Sequence, residues 1–138
     1  MSCGTELCWQ LLYTKPNAET WVEINLRRQG YATLYPQVRG RSGLKPLFPR
    51  YIFAGFLPER SSRPLRSTMG VLYVVHCGAE PTRVPHEVIA EVRERMDEWG
   101  VVTLEQPKVS DPLFDRRERE RLRALVKLAA AGFRVRVA

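Results

Sequence analysis

The residues of this chain that have the means to do chemistry are few: two histidines, His76 and His86, three cysteines, Cys3, Cys8 and Cys77, and a run of acids, Glu87, Glu91, Glu94, Asp97 and Glu98. A metal site needs several such groups at short, fixed intervals, and a nucleophile needs a base within hydrogen-bond reach. His76 and Cys77 are adjacent, but neighbours on a strand point to opposite faces and make poor co-ligands. The cysteines form no CxxC pair and no even framework, so they read as reduced thiols rather than a disulfide scaffold or a zinc ribbon. The acids are spaced as the solvated face of an amphipathic helix. No Walker or dinucleotide glycine pattern occurs. The sequence thus points away from an enzyme and implies no cofactor and no metal. A small enzyme on this scaffold would need a cleft of convergent polar groups, which the sequence does not display.

Binding chemistry is better represented. Residues 46–56, Pro-Leu-Phe-Pro-Arg-Tyr-Ile-Phe-Ala-Gly-Phe, carry more aromatics than one sheet face of a small sandwich needs. Tyr51, Phe53 and Gly55 share one face of a strand, while Ile52, Ala54 and Phe56 share the other. Either helices cover Tyr51 and Phe53 and the cluster is packing, or one aromatic group lines an exposed patch that marks an interface. Charge adds a second theme. The net +7 is divided into −2 for residues 1–26, +8 for 27–66, −5 for 67–115 and +6 for 116–136. Such a layout suits a protein facing two partners, one of them nucleic acid, although a solvated basic face gives the same pattern.

The elements that must position these residues follow from periodicity. Residues 8–13 read as a strand, after which Asn17 is placed to N-cap a helix with Ala18, Trp21, Val22 and Leu26 on its apolar side and Gly30 as its stop. A second strand spans residues 31–35, and residues 38–46, with Arg39, Arg41 and Lys45, read as an exposed, mobile basic loop. Residues 50–56 are the strongest strand, rich in β-branched and aromatic side chains. A polar connection with a short helix near residues 64–67 leads to a strand over 71–77. Pro85 then opens a helix with Val88, Ile89, Val92, Met96 and Trp99 as its apolar stripe. This order predicts an α+β fold, a ferredoxin-like antiparallel sheet with helices packed on one side. Residues 101–112 show few periodic signals. A capping box over 115–118 starts a basic helix running to residue 131, and residues 133–137 alternate like a first strand. No apolar stretch approaches the roughly 20 residues that a membrane span needs, and residues 1–9 lack a leader pattern, so a cytosolic location is expected.

The quoted segments also occur in a recognisable order. Residues 9–19 (Trp-Gln-Leu-Leu-Tyr-Thr-Lys-Pro-Asn-Ala-Glu), 26–31, Pro36, 47–53, 67–71, 75–81, Val84-Pro85 and Ile89 resemble the N-terminal (NGN) domain of NusG-type transcription elongation factors over about residues 8–99. The Pro-Leu-Phe-Pro-Arg-Tyr-Ile-Phe version looks more like the specialised RfaH-type antiterminators than housekeeping NusG. The resemblance implies a bacterial, non-enzymatic elongation and antitermination factor that suppresses pausing or termination. It implies docking on the clamp helices of the largest RNA polymerase subunit through Phe48, Tyr51, Phe53 and Val71. A second contact, to the gate loop of the second-largest subunit, falls at Ser61 and Ser62, where RfaH carries His-Thr-Thr. Contact with the non-template DNA strand falls at Lys15, Asn25, Arg28, Gln29 and Thr68. Pro16, Trp21 and Met69 depart from basic residues there, and Arg27 with Arg28 is equally readable as a solvated helix face.

Family members carry a KOW β-barrel after a linker, and residues 131–137 resemble its opening strand. The expected division is an NGN domain over residues 1–100, a linker with a basic helix over 101–131, and the start of a truncated KOW domain over 132–138. The basic helix is a linker in preference to a nucleic-acid contact. Partners of the barrel, the ribosome or a termination factor, belong only to an untruncated form. The rival reading is a stand-alone RNA-binding module, since residues 50–56 echo the aromatic strand of an RRM.

Overall fold

The computed structural model describes residues 6–104 and 111–133. Strand β1 (Cys8–Thr14) alternates Trp9, Leu11 and Tyr13 to one face with Leu12 and Thr14 to the other. It leads into helix α1 (Glu19–Arg28), whose first-turn Glu19 and last-turn Arg27 and Arg28 suit the helix dipole, and Gly30 at φ 90° ends it. Asn17 does not cap this helix. It takes a left-handed conformation, φ 59°, inside the turn that Ala18 N–H closes by donating to Lys15 O (3.2 Å), and Ala18 becomes the N-cap without a side-chain bond. Trp21 also departs from expectation: it is 47% exposed, because Val22 and Leu26 already fill the space against the sheet.

Four strands form the central antiparallel sheet, β1, β2 (Ala32–Leu34), β5 (Tyr51–Phe56) and β6 (Val71–Val74), in the order β2-β5-β1-β6. With α1 between β1 and β2, and the short α2 (Arg63–Arg66) between β5 and β6, this is the ferredoxin-like arrangement that the element order predicts. Beneath α1 and α2 lie Leu12, Val22, Leu26, Ile52, Ala54 and Leu65. The opposite face is covered as well. Trp9, Leu11, Phe48 and Phe53 pack with Val88 and Val92 of α3 (His86–Arg95) and with Leu125 and Ala129 of α4 (Glu118–Ala130). Helices therefore cover both faces of the sheet, not one. Strand β5 demands this, because residues 52–56 are all buried, and a fully buried Ile or Phe contributes about 1.5–3 kcal/mol. Gly55 is forced by the same packing: a Cβ there would sit 2.9 Å from the Trp9 indole on the neighbouring strand.

The segment expected to be a mobile basic loop is instead a hairpin, β3 (Gln37–Gly40) with β4 (Gly43–Pro46). Strand β3 also pairs in parallel with β9 (Val101–Val102), a two-residue strand too short to show periodicity, and Val38 is buried there. The expected strand over residues 71–77 breaks at Val75 into β6 and β7 (His76–Cys77), which pairs with β8 (Glu80–Pro81). Helix α3 ends at Arg95, short of Trp99, since the Asp97 carboxylate accepts from Trp99 N–H (2.8 Å) and Val101 N–H (3.0 Å) to build a tight turn. Trp99 consequently stands 72% exposed rather than on the apolar stripe.

A 3₁₀ turn (Pro112–Phe114) precedes α4. The capping box does not form: Arg117 is the N-cap with no side-chain bond, and Asp115 accepts from Arg117 N–H at 2.8 Å. Nor is α4 a free-standing linker, because Arg121, Leu125 and Ala129 are buried against the sheet. Phe133 joins the same core, and the remainder of the expected strand over 133–137 lies outside the described residues.

Candidate binding surface

Strand β5 was the sequence's main claim to function, and the structure divides its aromatics. Phe48 and Phe53 meet edge to face (centroids 6.3 Å apart) and are 2% and 0% exposed, so they are a buried floor and not an open patch. The cover is α4. Arg121, itself buried, donates from Nε to Leu47 O (2.9 Å) and from Nη1 to Asp115 O (2.9 Å) and Arg116 O (3.1 Å). Its burial, with no carboxylate of the described residues in direct contact, lowers its pKa. At the other end of the helix Thr82 Oγ1 donates to Ala129 O (3.0 Å) and Cys77 Sγ to Ala130 O (3.3 Å).

Tyr51 remains half-exposed, and it is not alone. Register places Tyr51 opposite Tyr13 and Tyr13 opposite Tyr73, so three phenols cross β5, β1 and β6 in one row. Tyr13 lies 4.9 Å from Tyr73, stacked, and 5.1 Å from Tyr51, tilted. The Arg50 guanidinium sits 4.4 Å above the Tyr13 ring. Arg50 adopts φ 75°, a costly backbone for a non-glycine residue, and is held in it by bonds from its N–H to the buried Glu19 carboxylate (2.8 Å) and from Nε to Thr14 O (3.1 Å). Burial and the neighbouring Tyr73 and Tyr13 raise the Tyr51 pKa, so this phenol stays uncharged at neutral pH. Tyr13, Tyr73 and Arg50 were missed by sequence reasoning. The signal was present in the alternation of β1 and β6, but it needs the strand register to be read. Val71 does not join the row: a register shift at Tyr13 and Thr14 leaves it packed against the core under α1 and α2.

The connection carrying Ser61 and Ser62 is pinned rather than loose. Tyr31 donates its hydroxyl to Ser61 O (2.8 Å), Arg63 N–H donates to Ser61 Oγ (3.2 Å), and Arg60 stacks 4.0 Å above Tyr31 while donating to Gln29 O. Ser61 is exposed and Ser62 half-buried at the start of α2.

Among the expected nucleic-acid residues, two are spent internally. Thr68 is 6% exposed and bonded to Pro64 O (2.9 Å), so it is not a surface contact, and the Gln29 amide donates to Thr68 Oγ1 (2.8 Å) and Asn25 O (3.2 Å), tying α1 to the end of α2. Lys15 and Arg28 are exposed, and Asn25 reaches Met69 O at 3.5 Å. Trp21, Asn25 and Arg28 fall on one side of α1, with Met69 (66% exposed) alongside and Lys15 bonded through its N–H to Gly70 O (2.9 Å). Only glycine fits at position 70: φ is 95°, and a Cβ would lie 2.6 Å from Val22 Cγ2. The result is a strip of two cations, an amide and an exposed indole.

Among the described residues, no group of three His, Cys, Asp or Glu is placed to hold a metal, and no helix is long and apolar enough to cross a membrane. His76 Nδ1 lies 2.7 Å from Val74 O, and His86 Nε2 lies 3.6 Å from Glu6.

A solved structure described as "Domain interaction in Thermotoga maritima NusG" is similar over 61% of this chain and 54% of that one, with 21% identity and a TM-score of 0.48. The chain therefore spans about half the length of that relative. The family model for NusG, described as "Transcription termination factor nusG", matches residues 7–93. That match runs from β1 into α3 and takes in more than half of the sequence, and the chain belongs to the NusG family.

Proposed function

We propose that this chain is a non-catalytic transcription elongation and antitermination factor, of the RfaH-like kind, that docks on RNA polymerase through its tyrosine row. The observation that carries the reading is the row itself: Tyr51, Tyr13 and Tyr73, stacked across three strands, half-exposed or exposed, and braced by Arg50. Rigid phenols with an apolar body and a polar tip are the side chains that anchor protein interfaces, because little rotamer entropy is lost when they bury. In this reading the row meets the clamp helices of the largest subunit. Phe48 and Phe53 support it from beneath, and Val71 supports β6 from the opposite core. The Ser61–Ser62 connection, pinned by Arg60 and Tyr31, faces the gate loop of the second-largest subunit. Lys15, Asn25 and Arg28, with Trp21 as a stacking surface, take the non-template strand, where cations meet phosphates and the indole meets a base. A factor bridging the clamp and the gate binds the closed polymerase better than the open one and so depopulates paused and terminating states.

The RNA-binding rival requires an open sheet face for bases to stack on. Here the matching strand has Phe53 buried beneath α3 and α4, which favours the polymerase reading.

The test is binding to purified bacterial RNA polymerase with Tyr51→Ala and Tyr73→Ala combined, in competition with a free clamp-helix peptide. An anchor pair worth about 2 kcal/mol or more predicts roughly a 30-fold weaker complex, and the peptide should displace the unsubstituted chain. Unchanged affinity, or a salt-sensitive affinity for RNA lost with the same tyrosines, would overturn the reading.

A further inference from the structure

Two basic segments far apart in the sequence meet at a place that none of the surfaces above includes. Arg41, at the tip of the β3–β4 hairpin, lines an open cavity of about 790 Å³ with Phe114, Asp115, Arg116 and Arg117 from the approach to α4. Arg116 also lines a neighbouring cavity of about 280 Å³, shared with Arg39 of the hairpin, so one groove runs past Arg41, Arg116 and Arg39. All three arginines are exposed.

Both walls of the groove are fixed. The hairpin is held by four cross-strand pairs and by the parallel pairing of β3 with β9. The opposite wall is held from below, since the buried Arg121 donates to the carbonyls of Asp115 and Arg116. Lys45 Nζ reaches Glu118 (3.4 Å) and ties the two walls together.

The carboxylates on the rim are already engaged. Asp115 accepts from Arg117 N–H (2.8 Å), Nε (3.1 Å) and Nη2 (3.1 Å), and Glu118 is taken by Lys45. Arg41 and Arg116 have no carboxylate partner among the described residues. Guanidinium groups left in this way on a rigid, open groove are suited to the forked geometry of phosphate oxygens. The one aromatic in the groove, Phe114, is only 5% exposed and offers no platform for a base. Single-strand sites add exposed aromatics on which bases stack, whereas phosphate contacts from a basic track alone are enough to hold a duplex.

We infer that the groove between the β3–β4 hairpin and the approach to α4 is a second nucleic-acid site, which binds the phosphate backbone of a duplex through Arg41 and Arg116, with Arg39 beside them. It is separate from the strip at Lys15 and Arg28, and it draws Arg116 and the wall around it from a segment beyond the family match at residues 7–93. It does not depend on polymerase docking.

The experiment is fluorescence anisotropy on the full chain with a short labelled DNA duplex, an RNA duplex of the same sequence, the single DNA strand, and a polyglutamate peptide. The variants are Arg41→Gln with Arg116→Gln, the same pair changed to Lys, and, as a charge-matched control at exposed positions outside both basic surfaces, Arg83→Gln with Lys127→Gln. Circular dichroism melts check that each folds. The expected result is salt-dependent duplex binding that Arg41→Gln with Arg116→Gln weakens by at least about fivefold, with a salt slope lower by about 2, one for each lost phosphate contact. The lysine pair should keep most of the affinity, and Arg83→Gln with Lys127→Gln should leave it unchanged. The two duplexes show whether DNA or RNA is preferred, and either supports the site. Duplex binding untouched by Arg41→Gln with Arg116→Gln, tighter binding of the single strand through the same arginines, or preference for polyglutamate would overturn it.

Discussion

Replacing Arg121 by methionine should loosen α4 while leaving the rest of the fold in place. The guanidinium is 1% exposed and makes three hydrogen bonds, to Leu47 O, Asp115 O and Arg116 O. Bonds from a charged donor are worth about 1.5–3 kcal/mol each, so the gross loss is roughly 4–9 kcal/mol. Against that stands the release of a guanidinium from a site without a direct counter-ion among the described residues, which returns several kcal/mol. Methionine fills much of the volume and avoids a large cavity, leaving a net destabilisation of about 2–4 kcal/mol. The effect should be local to α4, because the contacts of β1, β2, β5 and β6 with α1 and α2 do not involve Arg121. Urea unfolding followed by tryptophan fluorescence, which includes the buried Trp9, would give the stability loss. Amide exchange would show whether residues 118–130 open first. A loss under about 0.5 kcal/mol, or exchange that rises evenly over both faces of the sheet, would refute the reasoning that this arginine latches the helix.

Two further outcomes follow from the geometry. Gly55→Ala puts a methyl carbon 2.9 Å from three atoms of the Trp9 ring inside a packed sheet, which should cost about 1–3 kcal/mol and lower the melting temperature by several degrees; an unchanged melt would show that the indole yields freely. Asp115, held by Arg117, has its carboxyl depressed to about 2, below its unfolded value near 3.9, so its contribution to stability is present above that unfolded value and is lost as pH falls through about 2. An NMR titration should find the Asp115 midpoint near 2, moving up in Arg117→Gln; a midpoint indifferent to that substitution would remove Arg117 as the cause.

Much of the fold was legible because its strongest elements are periodic on their own. The apolar, aromatic runs of β1 and β5 mark strands, the Val22–Leu26 spacing of α1 and the stripe of Val88, Ile89 and Val92 each report one buried helix face, and their order is enough for the ferredoxin-like sheet. What was not legible depended on partners distant in sequence. The β3–β4 segment is polar and basic because one side faces solvent, and its strand character rests on Val38 meeting Val102. Residue type alone could not tell whether Phe53 faces solvent or a helix, because its cover, α4, is contributed some seventy residues later. The candidate site was half visible for the same reason. Tyr51 was identified from its own strand, while Tyr13 and Tyr73 become its neighbours only through the register. Thr68 and Gln29, good hydrogen-bonding types for a base edge, turned out to bond each other.

The latch between Leu47 and Arg121 also sets an order of events during synthesis. The segment that carries Phe48 and Phe53 leaves the ribosome well before α4 does, and at about 5–20 residues per second the roughly eighty residues from Phe53 to Phe133 take about 4–16 s. Local pairing of β1, β5 and α1 is complete within a small fraction of that time. Each newly made molecule therefore passes through a stage, lasting seconds, in which the sheet has formed and its aromatic floor lacks the cover of α4, so the nascent chain meets its surroundings with a different surface from the finished protein.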